Sequence, residues 1–172
     1  MLGIANRGNY DLSQHMKYSN ESLEYLLDDG TKIIPHVIEP SIGLDRLLLA
    51  LLVDSYEEQE LENNDVRIVL KLDFNIAPYQ VAIFPLMKKL NSKAKEIFDN
   101  LLQKTELRLI YDESGSIGKR YRRQDAIGTP FAVTIDFDTL EKNTVTVRER
   151  DSMKQHVVEL DNLIKFFENY KK

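Results

Sequence analysis

Apolar positions along this chain change period near residue 44. Thr31 to Ile38 is β-branched and apolar, bounded by Asp28-Asp29-Gly30 and by Glu39-Pro40, which predicts a buried strand entered from a turn. Leu44, Leu47, Leu48, Leu51, Leu52 and Ser55 then recur at i, i+3, i+4 and i+7, the spacing of a helix. Leu49, Ala50 and Val53 make its remaining surface apolar too, so this helix is expected to be covered on most sides. Upstream, Ile4 to Tyr10 reads as an edge strand, and Asp11 to Leu27 as mixed helix and loop capped by Ser13 or Asp11.

The downstream pattern is more self-sufficient. Arg67 to Leu72, Tyr79 to Phe84, Leu107 to Tyr111, Phe131 to Phe137 and Thr144 to Arg148 read as strands. A helix is predicted from Leu86 to about Lys104 on the stripe Leu86, Leu90, Ala94, Ile97 and Leu101, and a short one over Lys119 to Ile127. A last helix is expected over Val158 to Tyr170 on Leu160, Leu163, Ile164 and Phe167. Ser114 to Gly118 is a glycine-containing turn, and Asp138 to Asn143 is expected as a hairpin turn. The order implies an α/β (α+β) fold with a mixed sheet and helices packed on it. Glu57, Glu58, Glu60, Glu62 and Asp65 form an acidic run around Asn63-Asn64, which reads as a solvated junction. A boundary there divides residues 1–62 from a domain over 63–172, a usual domain size.

Composition narrows the function classes. At 172 residues and 42% hydrophobic content the chain can bury a core as one or two small domains. No stretch approaches the roughly 18 apolar residues that span a bilayer, and no signal-peptide core is present, so cytoplasm is the default compartment. The absence of cysteine excludes disulfides and zinc fingers. His15, His36 and His156 are scattered without metal-ligand spacing, so no metal site is assigned. The net charge of −5 argues against a generally basic nucleic-acid binder, but Lys119, Arg120, Arg122 and Arg123 share one five-residue window.

The candidate chemistry starts at Arg46. It falls in the first turn of the apolar helix, where free N–H groups and the dipole favour anions and disfavour a guanidinium. Either Asp45 or Glu39 pairs with it, or a phosphate-bearing ligand sits there, approaching the backbone over Gly43. Local chemistry leaves the two alternatives open.

Glu39-Pro40-Ser41-Ile42-Gly43-Leu44-Asp45-Arg46 resembles motif 3 of class II aminoacyl-tRNA synthetases, in the form used by glycyl-tRNA synthetases. Gly3-Ile4-Ala5-Asn6-Arg7 and Asp11-Leu12-Ser13-Gln14-His15 resemble the segment preceding it. Ala77-Pro78-Tyr79, Gly115 to Asp125, Gly128-Thr129-Pro130-Phe131 and Thr146 to Asp151 resemble the family's C-terminal anticodon-binding domain. The ordered matches run nearly end to end.

The resemblance implies part of a glycine–tRNA ligase: the end of a catalytic domain, including motif 3, followed by an anticodon-binding domain. Gly43, Leu44, Asp45 and Arg46 would bind ATP, with the planar guanidinium stacking on adenine and reaching the polyphosphate. Glu39, Pro40, Ser41, Ile42 and Gly43 would bind glycine, the carboxylate accepting from its ammonium group. The structural alternative is that Glu39 pairs with Arg46 and Ser41 caps the helix. Mg2+ is expected from the family, with no ligand assigned here. Lys119, Arg120, Tyr121, Arg122 and Arg123 are candidates for tRNA(Gly), the cations on phosphates and the ring on a base. The alternative is that these arginines pair with Asp112, Glu113 and Asp125. Gly115 to Lys119 is not a phosphate-binding P-loop, since its glycines are too close and Arg120 stands at the Ser/Thr position. Arg7 is either a lining residue of the catalytic sheet or an exposed surface arginine. Nothing here resembles motifs 1 and 2, which in the family supply the dimer interface and the arginine that grips the α-phosphate. The chain alone is therefore expected to be inactive and to lack the interface of the family's homodimer. The competing expectation is a non-catalytic tRNA-binding module or accessory subunit.

Overall fold

The computed structural model describes residues 2–61 and 64–170. The boundary expected near Asn63 lies outside the described residues. By compactness the chain divides into Met1–Leu51 and Leu52–Lys172.

The first unit is thin. Strand β1 (Leu2–Asn6) pairs antiparallel with β4 (Ile38–Ile42), with Leu2 opposite Ile42 and Asn6 opposite Ile38. Between them lie helix α1 (Tyr10–Ser19) and a small hairpin of β2 (Tyr25–Leu26) and β3 (Lys32–Ile33). Helix α2 (Leu44–Ser55) begins immediately after β4 and runs across the division. Neither expected cap holds α1: its N-cap is Asn9, with no side-chain cap bond. Asp11 is spent on Arg7, and the Ser13 hydroxyl, already one turn inside, donates back to the Asn9 carbonyl.

Two further expectations are corrected here. The buried strand over Thr31 to Ile38 is reduced to Lys32–Ile33, both exposed; Pro35, which lacks an N–H, interrupts it, and backbone pairing resumes at Val37, whose N–H donates to the Gly8 carbonyl and whose carbonyl accepts from Arg7 N–H, just before β4 begins at Ile38. Glu39-Pro40, expected to bound that strand, lie instead inside one, β4. Helix α2 forms where its period predicts, but it is not covered: Leu44 is 74%, Leu49 62% and Val53 68% exposed. Two-stranded sheets, all that the described residues of this unit supply, cannot enclose a helix that is apolar all round.

The second unit has the core. Its hairpin of β5 (Tyr56–Glu60) and β6 (Val66–Leu70) pairs Tyr56 with Leu70 and Glu60 with Val66. A five-stranded sheet follows, built from β7 (Val81–Pro85), β8 (Leu109–Tyr111), β9 (Phe131–Ile135), β10 (Thr144–Glu149) and β11 (Gln155–Glu159) in the order β11-β10-β9-β7-β8. It is parallel across β8, β7 and β9, and antiparallel from β9 through β11. Helices α3 (Asn91–Lys104) and α4 (Ile117–Ile127) make the two crossovers. Alternation along β7 separates the faces: Val81 and Ile83 pack with Ala94, Ile97 and Leu101 of α3, whereas Ala82 and Phe84 pack with Ile117 and Tyr121 of α4. Helix α6 (Leu163–Glu168) adds Leu163 and Phe167 to the α3 side.

Glu57, Glu58 and Glu60 of the acidic run lie in β5, whose side chains alternate between the two faces of the hairpin, so that Glu57 is half-buried and Glu58 and Glu60 are exposed. The hairpin turn expected at Asp138 to Asn143 is instead helix α5 (Phe137–Lys142), nucleated by a capping box in which Asp136 and Thr139 satisfy each other's backbone N–H groups. The last helix starts later than expected, because Val157 and Val158 are drawn into β11 opposite Thr146 and Val145. The α3 region likewise opens with a 3-10 turn at Lys88–Leu90 before α-helix begins at Asn91.

Candidate functional site

Strand β4 sorts the motif-3 segment by alternation. Glu39 and Ser41 share one face of the β1–β4 pair, and Ile38, Pro40 and Ile42 the other. Gly3 stands opposite Ser41, where a Cβ would lie 3.2 Å from the serine Oγ. Gly43 links strand to helix: its carbonyl accepts from Leu47 N–H, and Arg46 folds its stem back over it, with Cδ 3.7 Å from where a Cβ would be. Gly43, Leu44, Asp45 and Arg46 line an open concavity of about 310 Å³.

The internal partner considered for Arg46 goes elsewhere. Glu39 pairs with Arg7 at 3.1 Å, and Arg7 also grips Asp11 through both carboxylate oxygens. These contacts hold the Asp11 carboxyl below its ordinary range, the Arg7 hydrogen bond first among the causes, and raise Arg7 further. Arg46 has no ion pair among the described residues, and Ser41, inside β4, is not the cap of α2. The first-turn guanidinium thus lines its concavity beside Asp45 but pairs with no carboxylate among the described residues. Among the described residues no group of three His, Asp or Glu side chains is placed to hold a metal ion.

The basic window of α4 is divided by burial. Arg120 points inward and donates to the carbonyls of Pro85, Glu113 and Gly115. Tyr121 is also engaged: its hydroxyl bonds Thr134 Oγ1 at 2.6 Å, its ring meets Phe84 edge-on, and Arg148 lies 4.8 Å from its centroid. Lys119, Arg122 and Arg123 remain toward solvent and line an open groove with Val66, Ile68 and Ser116. Arg122 binds Asp65 and the Val66 carbonyl, while Arg123 binds Asp112 and the Ser114 carbonyl.

Residues 80–170 match the family model described as the anticodon binding domain, 91 of the 172 residues and so more than half of the chain. The chain belongs to the anticodon-binding-domain family. It is 56% identical over 96% of its length to a glycine–tRNA ligase of Mycoplasmopsis synoviae, of which it covers 37%. Similar proteins of the same name occur in Mesoplasma florum, at 53% identity over 95% of the chain, and in Clostridium acetobutylicum, at 52% over 98%; the chain covers 36% of each. It therefore spans about a third of the length of these relatives. Among solved structures, the RNA binding domain of a threonyl-tRNA synthetase from Cryptosporidium parvum superposes with a TM-score of 0.65 at 22% identity, covering 86% of this chain and 35% of that one, a likeness of fold.

Asp125, considered above as a partner for the arginines of α4, is instead the centre of a buried charged cluster. Asp125 in α4 does not pair with the neighbouring arginines of its own helix. It receives Arg67 at 2.7 Å and Arg148 at 3.0 Å, and all three side chains are buried. Arg67 further donates to Gln59 and to the Arg150 carbonyl, and the buried Arg150 to the Gly128 carbonyl. The available signal was charge inside β-branched strands, in Val66-Arg67-Ile68 and Val147-Arg148, where a buried cation requires a partner.

Proposed function

We propose that this chain is part of a glycine–tRNA ligase, whose anticodon-binding domain holds the anticodon arm of tRNA(Gly) and whose β4–α2 segment completes a site for glycine and ATP. The observation that carries this reading is the 56% identity to a glycine–tRNA ligase over 96% of the chain. The free Arg46 guanidinium at the start of α2 supports the nucleotide end of the site.

The reaction is attack of a glycine carboxylate oxygen on the α-phosphorus of ATP, expelling pyrophosphate and leaving glycyl-adenylate. A terminal ribose hydroxyl of the tRNA then takes the glycyl group and AMP departs. Positioning and charge neutralisation supply most of the catalysis. Arg46 stacks on adenine and reaches phosphate. Glu39 accepts from the glycine ammonium beside the Ser41 hydroxyl on the same strand face, and the exposed Arg7–Glu39 pair is weak enough to rearrange when glycine arrives. Lys119, Arg122 and Arg123 supply phosphate contacts to the RNA. Mg2+ accompanies ATP, and the working enzyme is a cytoplasmic homodimer formed through segments that nothing in this chain resembles.

The test is glycine-dependent ATP–pyrophosphate exchange and tRNA(Gly) binding by the isolated chain. Salt-sensitive binding without exchange is expected. Exchange by the chain alone would contradict the requirement for motifs 1 and 2.

A further inference from the structure

Strand β11 ends the five-stranded sheet and pairs only with β10 among the described residues. The register fixes which of its backbone groups are spent. Glu149 N–H donates to the Lys154 carbonyl and Leu160 N–H to the Asn143 carbonyl, so in the antiparallel ladder between them His156 and Val158 turn their N–H and C=O groups toward β10. Gln155, Val157 and Glu159 turn theirs outward, to the open edge. The side chains of these three residues share one face of the sheet and are exposed, Val157 at 76%, whereas His156 and Val158 on the other face are half-buried.

Such an edge is a template for another strand, and folded sheets commonly blunt it with proline, lysine or a bulge. Gln155-His156-Val157-Val158-Glu159 contains neither residue, and its pairing with β10 runs one to one without a bulge. The opposite edge, β8, is only Leu109–Tyr111, too short to offer the same ladder. The order of side chains says which strand fits. Laid antiparallel on itself about a two-fold axis at Val157, β11 sets Val157 against Val157 of a second copy and Gln155 against Glu159 on either side of it. Each carboxylate then meets an amide donor, the exposed valines cover each other, and no like charges stand opposite. The residues paired in this register are also the three whose backbone groups are free, so every one of these pairs exchanges N–H···O=C bonds. We infer that β11 is a self-complementary edge through which two copies of this chain join their sheets into one. The inference is independent of the proposed function, because it uses no residue assigned to glycine, ATP or tRNA.

The experiment is sedimentation equilibrium of the full chain over a concentration series. The parent should dimerise reversibly. Val157→Lys, which sets two ammonium groups against each other at the axis, should leave only monomer over the same range. The rival surface is the exposed apolar face of α2, so Leu49→Lys serves as the control and should leave the dimer intact. Register is tested by cross-linking, for which the absence of native cysteine is convenient. Residues facing each other in a hydrogen-bonded pair have Cα atoms about 5.5 Å apart, within disulfide range, so Val157→Cys should give a covalent dimer on mild oxidation. Met153→Cys, four residues from the axis and hence far from its own copy, should not. Circular dichroism of Val157→Lys separates loss of pairing from loss of fold, and the cross-linking result stands without that variant. A parent that is monomeric at every concentration, a dimer that survives Val157→Lys, a dimer abolished by Leu49→Lys, or equal cross-linking through positions 153 and 157 would each overturn the inference.

Discussion

Arg67 and Asp125, 58 residues apart, meet at 2.7 Å between Nε and Oδ2 with both side chains buried, and so fasten the β5–β6 hairpin to helix α4. Asp125 is shared with Arg148, so its removal leaves two buried guanidiniums short of a counter-charge. Asp125→Ala should lower the unfolding free energy by about 3–5 kcal/mol, measured by urea denaturation. Asp125→Asn, which keeps the shape and removes the charge, should still lose most of that. A loss within about 0.5 kcal/mol would mean that the network contributes little to stability.

Gly128 ends α4 in the left-handed region at φ +88. A Cβ there would lie 2.8 Å from Leu72 Cδ1 and 3.1 Å from the Leu70 carbonyl oxygen. Gly128→Ala should therefore cost about 1–3 kcal/mol, read as a fall in Tm. Gly118, whose added Cβ meets nothing within 4 Å, is the control: Gly118→Ala inside α4 should be neutral or stabilising.

The distinction between those glycines shows where the sequence was legible. Strong periods were: α3 forms on Ala94, Ile97 and Leu101 as helical spacing predicts, and β9 forms inside the apolar run expected over Phe131 to Phe137, although it ends at Ile135. Competing local chemistry was not. The Asp136–Thr139 capping box turned an expected hairpin turn into α5, and Val157 and Val158 preferred a cross-strand ladder to the start of a helix. In the candidate site the order of Glu39, Ser41, Gly43 and Arg46 was readable, but the diversion of Glu39 to Arg7 was not, because it depends on β1 pairing with β4. The buried partners of Asp125 lie 58 and 23 residues away, beyond any local pattern.

Glu149 provides a pH signature. The Ser152 hydroxyl, then His156 and Tyr170, bond its carboxylate and hold its carboxyl below the ordinary glutamate range. A depressed folded value means that the stabilisation is complete above the unfolded value, near 4.3, and is lost as pH falls through the lower folded one. Glu149→Gln should lower Tm slightly at pH 7 and flatten the acid limb of the stability profile below about pH 4.3. An acid limb identical to that of the parent would remove Glu149 from the account.

Arg122 and Arg123 are held toward the groove by Asp65 and Asp112 yet remain partly exposed. Arg122→Glu with Arg123→Glu should weaken tRNA(Gly) binding and lower its salt slope by about two, as expected for two phosphate contacts. Unchanged affinity would confine these residues to holding β6 and the Ser114 turn against α4.

The most direct test of the account is equilibrium binding of tRNA(Gly) to this chain, compared at one salt concentration with the same tRNA carrying a changed anticodon. The account predicts binding that is lost progressively with salt and is at least about tenfold weaker for the altered anticodon, the cost of about one mismatched contact. Equal affinity for both RNAs, or no binding to either, would contradict it.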